Sequence, residues 1–197
     1  ERFKRSVVHL GALGIVSALK IKIVPAFQLH ETTELLDFDV ICKDYDQIIK
    51  SADHVKFWWF PPVEKMLVYR YNRTYETPND SRFRQWFLDE FISVYSYRLL
   101  VKIGNQNINW RPKINDWITR YFIQPVNRIE CSYKVFNVPE PPIHRETEWA
   151  FPIEKGPEVL KAYAKMIEEK SHKINFLQEI RFVKGDDFAL SPCYKRD

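Results

Sequence analysis

The residues best suited to chemistry are Glu179 and Arg181, which stand two positions apart in the stretch FLQEIRFVKGDD. Side chains two apart on a strand share a face, so the carboxylate and the guanidinium project together while Ile180 and Phe182 point into the core. A partly buried acid and base are tolerated only when they pair with each other or with a polar ligand. The pattern therefore favours a structural ion pair on a sheet face, with a binding face as the functional alternative.

The composition indicates a densely packed globular protein. The chain has 197 residues and 45% hydrophobic content, enough for one domain with a substantial core, or for one domain plus part of another. Its 30 basic residues are nearly balanced by 26 acidic ones, and no basic block with interleaved aromatic residues is present. We therefore predict no nucleic-acid partner. With only 5 glycines, glycine-built phosphate loops must be few.

Metal and disulfide chemistry have no support in the spacing of cysteines and histidines. The five histidines are scattered and form neither HxxxH nor HExxH. The odd number of cysteines includes no CxxC pair, and each is expected to be a buried free thiol: Cys42, Cys131 and Cys193. We predict no metal site.

Patterns along the chain predict an α+β fold, an antiparallel sheet flanked by helices. Strands are expected over 27–41, 55–60, 66–72, 128–135 and 146–151. The strands 55–60 and 66–72, joined by a short PPVEK connection, are expected to form an antiparallel hairpin. Helices are expected over 43–52, about 80–103 and 109–122, and from Gly156-Pro157, where apolar residues form one stripe.

Two segments stand apart from this sheet. Residues 7–24 contain a glycine turn followed by a β-branched strand that ends at Pro25, and they are expected to belong to another domain. Residues 83–103 are aromatic and aliphatic but interrupted by charges, which favours a buried amphipathic helix over a spanning one. Attachment to a membrane surface is the functional alternative for this helix.

Four stretches together carry a family resemblance. They are HLGALGIVSALKIKIVPAF near the start, FWWFP at 57–61, ETEWAFPIE at 146–154 and EIRFVKGDDFALSPCYKRD at the end. In this order they resemble the aldonolactone oxidoreductases, the group of L-gulonolactone and D-arabinono-1,4-lactone oxidases in the vanillyl-alcohol-oxidase flavoprotein superfamily. The resemblance covers nearly the whole chain.

The resemblance implies a division into two domains. Residues 1–26 correspond to the C-terminal end of an FAD-binding domain, and residues 27–197 to a substrate-binding (cap) domain that is incomplete at its C-terminus. It also implies that the rest of the flavin domain and a His-Trp-x-Lys element lie outside this sequence, so this stretch alone should neither hold FAD tightly nor turn over. The implied FAD contacts are Gly11, Ala12, Gly14, Ile15 and Val16.

The implied reaction is the oxidation of a sugar-1,4-lactone. Hydride passes from the lactone C2 to FAD and electrons then pass to molecular oxygen, in the synthesis of ascorbate or its analogue. On this resemblance Arg181 stabilises charge and orients the substrate, and Glu179 binds a substrate hydroxyl, with proton acceptance left open. The expected partners are the lactone, oxygen and the remainder of the same enzyme.

Two other functional classes remain as alternatives. The chain could be a non-catalytic cap or interaction module that kept the fold, or a membrane-surface protein that uses residues 83–103. The resemblance implies a membrane-associated location, in the endoplasmic reticulum or the mitochondrion. The preferred lactone, and oxygen against a cytochrome as electron acceptor, are left open.

Overall fold

A five-stranded antiparallel sheet forms the centre of the computed structural model, which describes residues 1–79, 95–123, 125–137 and 144–196. The strand order is β4-β1-β3-β2-β5. Its strands are β1 (Gln28–Asp37), β2 (His54–Trp59), β3 (Lys65–Thr74), β4 (Asn127–Cys131) and β5 (Gln178–Arg181). Together with the helices around it, this sheet confirms the α+β prediction.

The two longer helices among the described residues are Tyr97–Gln106 and Gly156–Glu169. The shorter α-helices are Arg2–Ser6, Phe38–Lys43, Tyr45–Ile49, Arg111–Trp117 and Ser132–Phe136. Single turns of 3₁₀-helix cover Ile108–Trp110 and Ile153–Lys155, and a π-helical turn covers Ile118–Phe122. The helix expected over about 80–103 is described only from residue 95 onward, because residues 80–94 lie outside the described part of the chain.

The predicted hairpin of β2 and β3 is confirmed. Trp59 lies opposite Met66 and Phe57 opposite Val68 in an antiparallel register. The β-branched and aromatic residues of both strands suit a pleated, half-buried surface. The prolines between the strands cannot donate to a ladder, so the pairing stops where the connection begins.

One face of the sheet holds the main core. Phe57, Trp59, Met66 and Val68 pack there against the helices that follow β1 and against Gly156–Glu169. The apolar stripe predicted for the latter helix is confirmed, since Leu160 and Ile167 are its buried residues. The core also receives Ile180 and Phe182 from the segment of β5. The opposite face of β5 is therefore left for polar side chains.

The second face of the sheet carries a smaller apolar cluster among the described residues. Leu29, Tyr71 and Val135 form a small cluster there, with the helix Ser132–Phe136 packed over one end. This face also carries Leu67 and the charged and aromatic side chains of β2, β3 and β5.

Four of the predicted elements are wrong in their bounds or type, for reasons of pairing and local helix formation. The strand expected over 27–41 ends at Asp37, where the helix Phe38–Lys43 begins. The strand expected over 128–135 ends at Cys131, because Cys131 pairs with Gln28, the first residue of β1, and the ladder has no further partner. Residues 146–151 form no strand, since none of the described ladders includes them. The helix expected over 43–52 is instead Phe38–Lys43 followed by Tyr45–Ile49.

The strand expected over residues 7–24 is also wrong in this structure. Residues 15–27 carry neither helix nor strand, and Ile15, Leu19 and Ile23 are 98%, 78% and 86% exposed. An extended segment becomes a strand only when its backbone groups pair with a neighbour, and the described residues provide no ladder for it. Its assignment to another domain stays a prediction.

Gly156, the first residue of the long C-terminal helix, gives a stability prediction. A Cβ at this position would overlap the ring and hydroxyl of Tyr45. Tyr45 is 5% exposed and its ring is held edge-on by Phe57 and Phe182, with centroids 6.4 and 5.8 Å away. We expect Gly156→Ala to destabilise the protein by about 1 to 3 kcal/mol, measured as the free energy of unfolding in urea, despite the better helix propensity of alanine. Glu168→Ala on the exposed side of the same helix is the control, and an unchanged or raised stability of Gly156→Ala would contradict the overlap.

Candidate functional site

The site is organised by the pairing of β5 with β2. Glu179 lies opposite Trp58 and Arg181 opposite Lys56, in an antiparallel register. All four side chains therefore project from the second face of the sheet, away from the main core. The prediction that Glu179 and Arg181 share a face is confirmed, and β2 adds two further side chains to it.

Glu179 is anchored through one of its two carboxylate oxygens. Its Oε1 accepts a hydrogen bond of 2.9 Å from Lys56 Nζ and one of 3.0 Å from the indole Nε1 of Trp58. The side chains of Lys56 and Glu179 are 23% and 21% exposed, so this is a partly buried ion pair. The other oxygen, Oε2, lies 3.9 Å from Arg181 Nε. Oε2 is thus the carboxylate oxygen that faces the exposed guanidinium of Arg181.

The ionisation of Glu179 follows from these contacts. Partial burial raises the pKa of its carboxyl, but the hydrogen bonds from Trp58 and Lys56 and the charges of Lys56 and Arg181 oppose it. The opposing effects are larger in sum, so the pKa lies below the ordinary value. Glu179 is therefore a carboxylate at neutral pH, a good hydrogen-bond acceptor and a weak base.

Arg181 is the more accessible member of the pair. Its side chain is 56% exposed, and its Nη2 lies 2.7 Å from Oε1 of Glu148, whose side chain is 78% exposed. Lys56 and Arg181 stand directly opposite each other in the ladder, an arrangement that is unfavourable for like charges. Glu179 lies between the two cations and offsets this repulsion, and the three side chains together keep a net positive charge.

Lys56 is held on its other side by aromatic rings. Its Nζ lies 4.8 Å from the ring centroid of Trp58 and 5.0 Å from that of Tyr69. The two rings meet edge-on with centroids 4.8 Å apart. Both rings face a cation with their electron-rich surfaces, which adds to the carboxylate in fixing the ammonium group.

The polar face continues across the sheet toward β4. Glu31 is 4% exposed, and its Oε2 accepts a 2.7 Å hydrogen bond from Arg128 Nε. Between this pair and Lys56 lie Tyr69 and Tyr71, whose pKa values are raised chiefly by burial and further by Glu31 and Glu179. The two phenols are therefore neutral at physiological pH and contribute hydroxyl groups without charge.

The five residues predicted to contact FAD are far from Glu179 and Arg181 in the sequence, and they belong to no helix or strand. They occupy an exposed turn and the extended segment after it: Gly11, Ala12, Gly14, Ile15 and Val16. Gly11 has φ of 76° and Gly14 has φ of 116°, backbone conformations that favour glycine. The turn is closed locally, by the Ala12 N–H donating 2.8 Å to the His9 carbonyl. Their role in binding FAD stays a prediction.

Sequence reasoning missed Lys56 and Trp58. The signal was present, because the alternation in VKFWWF places these two residues on the face opposite Val55, Phe57 and Trp59. Their pairing with Glu179 was hidden, since Trp58 and Glu179 are separated by 121 positions in the chain. Glu148 adds a further contact to the site, through an exposed side chain bound to Arg181.

Two further predictions concern a metal and a membrane. Within residues 1–79, 95–123, 125–137 and 144–196, no group of three or more His, Cys, Asp or Glu side chains is placed to hold a metal ion. No described helix combines the length and the apolar character needed to cross a membrane. The proposed surface contact of residues 83–103 falls largely on 83–94, outside the described residues, and stays a prediction.

The chain is similar in sequence to several lactone oxidases and dehydrogenases. The chain is 30% identical over 203 residues to L-gulonolactone oxidase of Bos taurus, an alignment that spans 100% of the chain and 45% of that protein. It is 29% identical to L-gulono-1,4-lactone dehydrogenase of Mycobacterium tuberculosis, across 96% of the chain and 44% of the relative. It is 27% identical to D-arabinono-1,4-lactone oxidase of Eremothecium gossypii, across 99% and 38%.

The chain thus spans less than half the length of these relatives. The sequence profile described as D-arabinono-1,4-lactone oxidase matches residues 19–197, which includes the whole sheet with Lys56, Trp58, Glu179 and Arg181. The chain therefore belongs to the D-arabinono-1,4-lactone oxidase family.

Proposed function

We propose that this chain forms the substrate-facing part of an FAD-dependent sugar-1,4-lactone oxidase. Membership in the family and the names of the relatives support a lactone as the substrate class. The observation that carries the proposal is one sheet face on which a carboxylate, fixed by two donors, adjoins an exposed guanidinium. Residues 27–197 correspond on this proposal to the substrate-binding (cap) domain, and residues 1–26 to the end of the flavin domain.

Glu179 binds a hydroxyl group of the lactone on this proposal. A polyhydroxylated lactone offers hydroxyl donors, and a carboxylate held rigidly by one oxygen can accept from such a donor with the other. Lys56 and Trp58 both bind Oε1, which leaves Oε2 on the side of Arg181. A substrate hydroxyl that reaches Oε2 therefore lies next to the guanidinium as well.

Because its pKa is lowered, Glu179 is better suited to orient the substrate hydroxyl than to accept the proton of that hydroxyl. Burial opposes the charge of this carboxyl, but the bonds from Trp58 and Lys56 together with the charges of Lys56 and Arg181 keep the pKa below the ordinary value. A carboxylate of low pKa is a weak general base at neutral pH. Glu179 then orients the reacting C–OH group, and the proton leaves to a stronger base or to solvent.

Arg181 supplies a fixed positive charge beside the substrate. Its guanidinium is 56% exposed, and the partner carboxylate of Glu148 is 78% exposed, so a ligand can replace that partner. A planar fork of donors next to a carboxylate suits the carbonyl of a lactone and the polar edge of a flavin ring. Charge stabilisation by such a preorganised donor is strongest where water is excluded.

The donor set on this face fits an FAD cofactor. FAD, when bound, supplies the acceptor for two electrons from the lactone C2. Arg181 would contact it from the sheet, and Gly11, Ala12, Gly14, Ile15 and Val16 would be further residues that hold it. We propose molecular oxygen as the final electron acceptor and ascorbate or its analogue as the end of the route, in keeping with the relatives named oxidases.

A spectral titration of the full-length protein tests this function. L-gulono-1,4-lactone and D-arabinono-1,4-lactone are added without air while the flavin absorption is followed, and air is then admitted. We expect bleaching by at least one lactone and a return of the absorption in air. Absence of a flavin spectrum in the full-length protein would favour a non-catalytic module that kept the fold.

A further inference from the structure

We infer that Lys56 is a positioning residue for the lactone reaction, one that anchors a single oxygen of Glu179 and thereby keeps Arg181 available to the substrate. The inference rests on the proposed function of this sheet face. Lys56 lies on β2, 123 positions from Glu179 in the chain, and acts on the substrate only through Glu179 and Arg181.

The contacts of Lys56 restrict it to one arrangement. The ammonium lies 2.9 Å from Oε1 of Glu179 and within about 5 Å of the centroids of two aromatic rings, those of Trp58 (4.8 Å) and Tyr69 (5.0 Å). Its side chain is 23% exposed. A surface lysine paired with a carboxylate is normally mobile and contributes little, but this one is held by three groups at once.

The two oxygens of the Glu179 carboxylate have different partners. Lys56 and Trp58 both occupy Oε1, while Arg181 Nε stays 3.9 Å from Oε2 and its Nη2 binds the exposed Glu148 at 2.7 Å. Arginine prefers to bind a carboxylate through two parallel hydrogen bonds. Without the ammonium on Oε1, the guanidinium can close onto Glu179 and withdraw both groups from a ligand.

The charged and titratable groups that face Glu179 come from three strands. Among the described residues they are Lys56 from β2, Arg181 from β5 itself, and Tyr69 and Tyr71 from β3. Both tyrosines have raised pKa values owing to burial and stay neutral at physiological pH. Loss of Lys56 removes one hydrogen bond and one of the two positive charges, so protonation of Glu179 shifts to higher pH.

Lys56→Met in the full-length protein tests the inference, because methionine keeps an unbranched side chain and removes the charge. We expect kcat/KM for the lactone to fall by about 10- to 100-fold, the range for one charge-assisted hydrogen bond. We also expect the acid limb of its pH profile to move to higher pH. Lys56→Arg should restore most of the rate. Lys65→Met on β3, whose ion pair with Asp37 is 2.9 Å long and largely exposed, is the matched control and should match the wild type.

A double-mutant cycle and a spectroscopic titration separate positioning from a structural role. In a Glu179→Gln background, Lys56→Met should cause little additional loss, because the two residues act as a unit. The indole N–H signal of Trp58, assigned with Trp58→Phe, should titrate with Glu179 in the wild type and at higher pH in Lys56→Met. This signal needs no lactone, so it judges the role of Lys56 even if no lactone bleaches the flavin.

Two results would overturn the inference. One is a pH profile and an indole titration of Lys56→Met that coincide with those of the wild type. The other is an equal loss of kcat/KM from Lys56→Met in the wild-type and Glu179→Gln backgrounds, since independent effects mean that Lys56 does not act through Glu179.

Discussion

Arg181→Ala is expected to lower lactone turnover in the full-length protein by about 100- to 1,000-fold, the loss seen when one preorganised charge-stabilising donor is removed. The guanidinium stands next to Oε2 of Glu179, at 3.9 Å, and is the most exposed cation of the cluster. Since its side chain is 56% exposed, its removal should leave the fold and the melting temperature nearly unchanged. The measurement is anaerobic flavin bleaching by the lactone in rapid mixing, together with thermal unfolding.

Two further variants serve as comparisons for Arg181→Ala. Arg181→Lys keeps the charge and loses the planar fork, so it should recover only part of the rate. Arg120→Ala removes an exposed arginine that is paired within its own helical turn with Asp116, at 2.6 Å, and should leave turnover unchanged. Wild-type turnover in Arg181→Ala would remove this residue from the proposed site.

Arg128→Met is expected to lower the stability of the protein by about 3 to 5 kcal/mol, the usual result of removing one partner of a buried ion pair. Its partner Glu31 is 4% exposed and receives a 2.7 Å hydrogen bond from Arg128. Without the guanidinium, this carboxylate stays buried beside Tyr71 and loses the charge that its ion pair supplied. Denaturant unfolding of the full-length protein, followed by circular dichroism, measures the loss.

The comparison for Arg128 uses the same substitution at an exposed pair. Arg120→Met removes a partner of Asp116, but the two side chains are 64% and 45% exposed, so we expect a much smaller loss of stability than for Arg128→Met. The double variant Glu31→Leu with Arg128→Met should be more stable than Arg128→Met alone, because no charge is then left buried. If Arg128→Met and Arg120→Met lowered the free energy of unfolding equally, burial of the Arg128 and Glu31 pair would contribute nothing to stability.

The parts of the fold that could be predicted from sequence are those with a local signal. The alternation of apolar residues in β2 and β3 and the stripe on Gly156–Glu169 each depend on neighbours in the chain. The Glu-x-Arg pattern of β5 likewise located two members of the candidate site. In each case one short stretch contains the whole pattern.

The parts that could not be predicted depend on distant partners. Which strand pairs with β5, and hence which side chains meet Glu179, is fixed by contacts across more than a hundred positions. The same dependence explains the wrong strands, because residues 7–24 and 146–151 have a suitable composition but join no ladder of the described residues. Strand propensity can be read from one segment alone, but a strand forms only when that segment pairs with a second one.

The burial of Ile180 and Phe182 in the main core has an evolutionary consequence for the site. These two residues decide which side of β5 faces inward, so the odd or even position of a residue in this strand decides whether it can meet a ligand. A single inserted or deleted residue before Glu179 would exchange the two sides, burying the acid and exposing the isoleucine. A change of the length of this strand by one residue therefore alters the surroundings of all its side chains at once, whereas a substitution alters one of them.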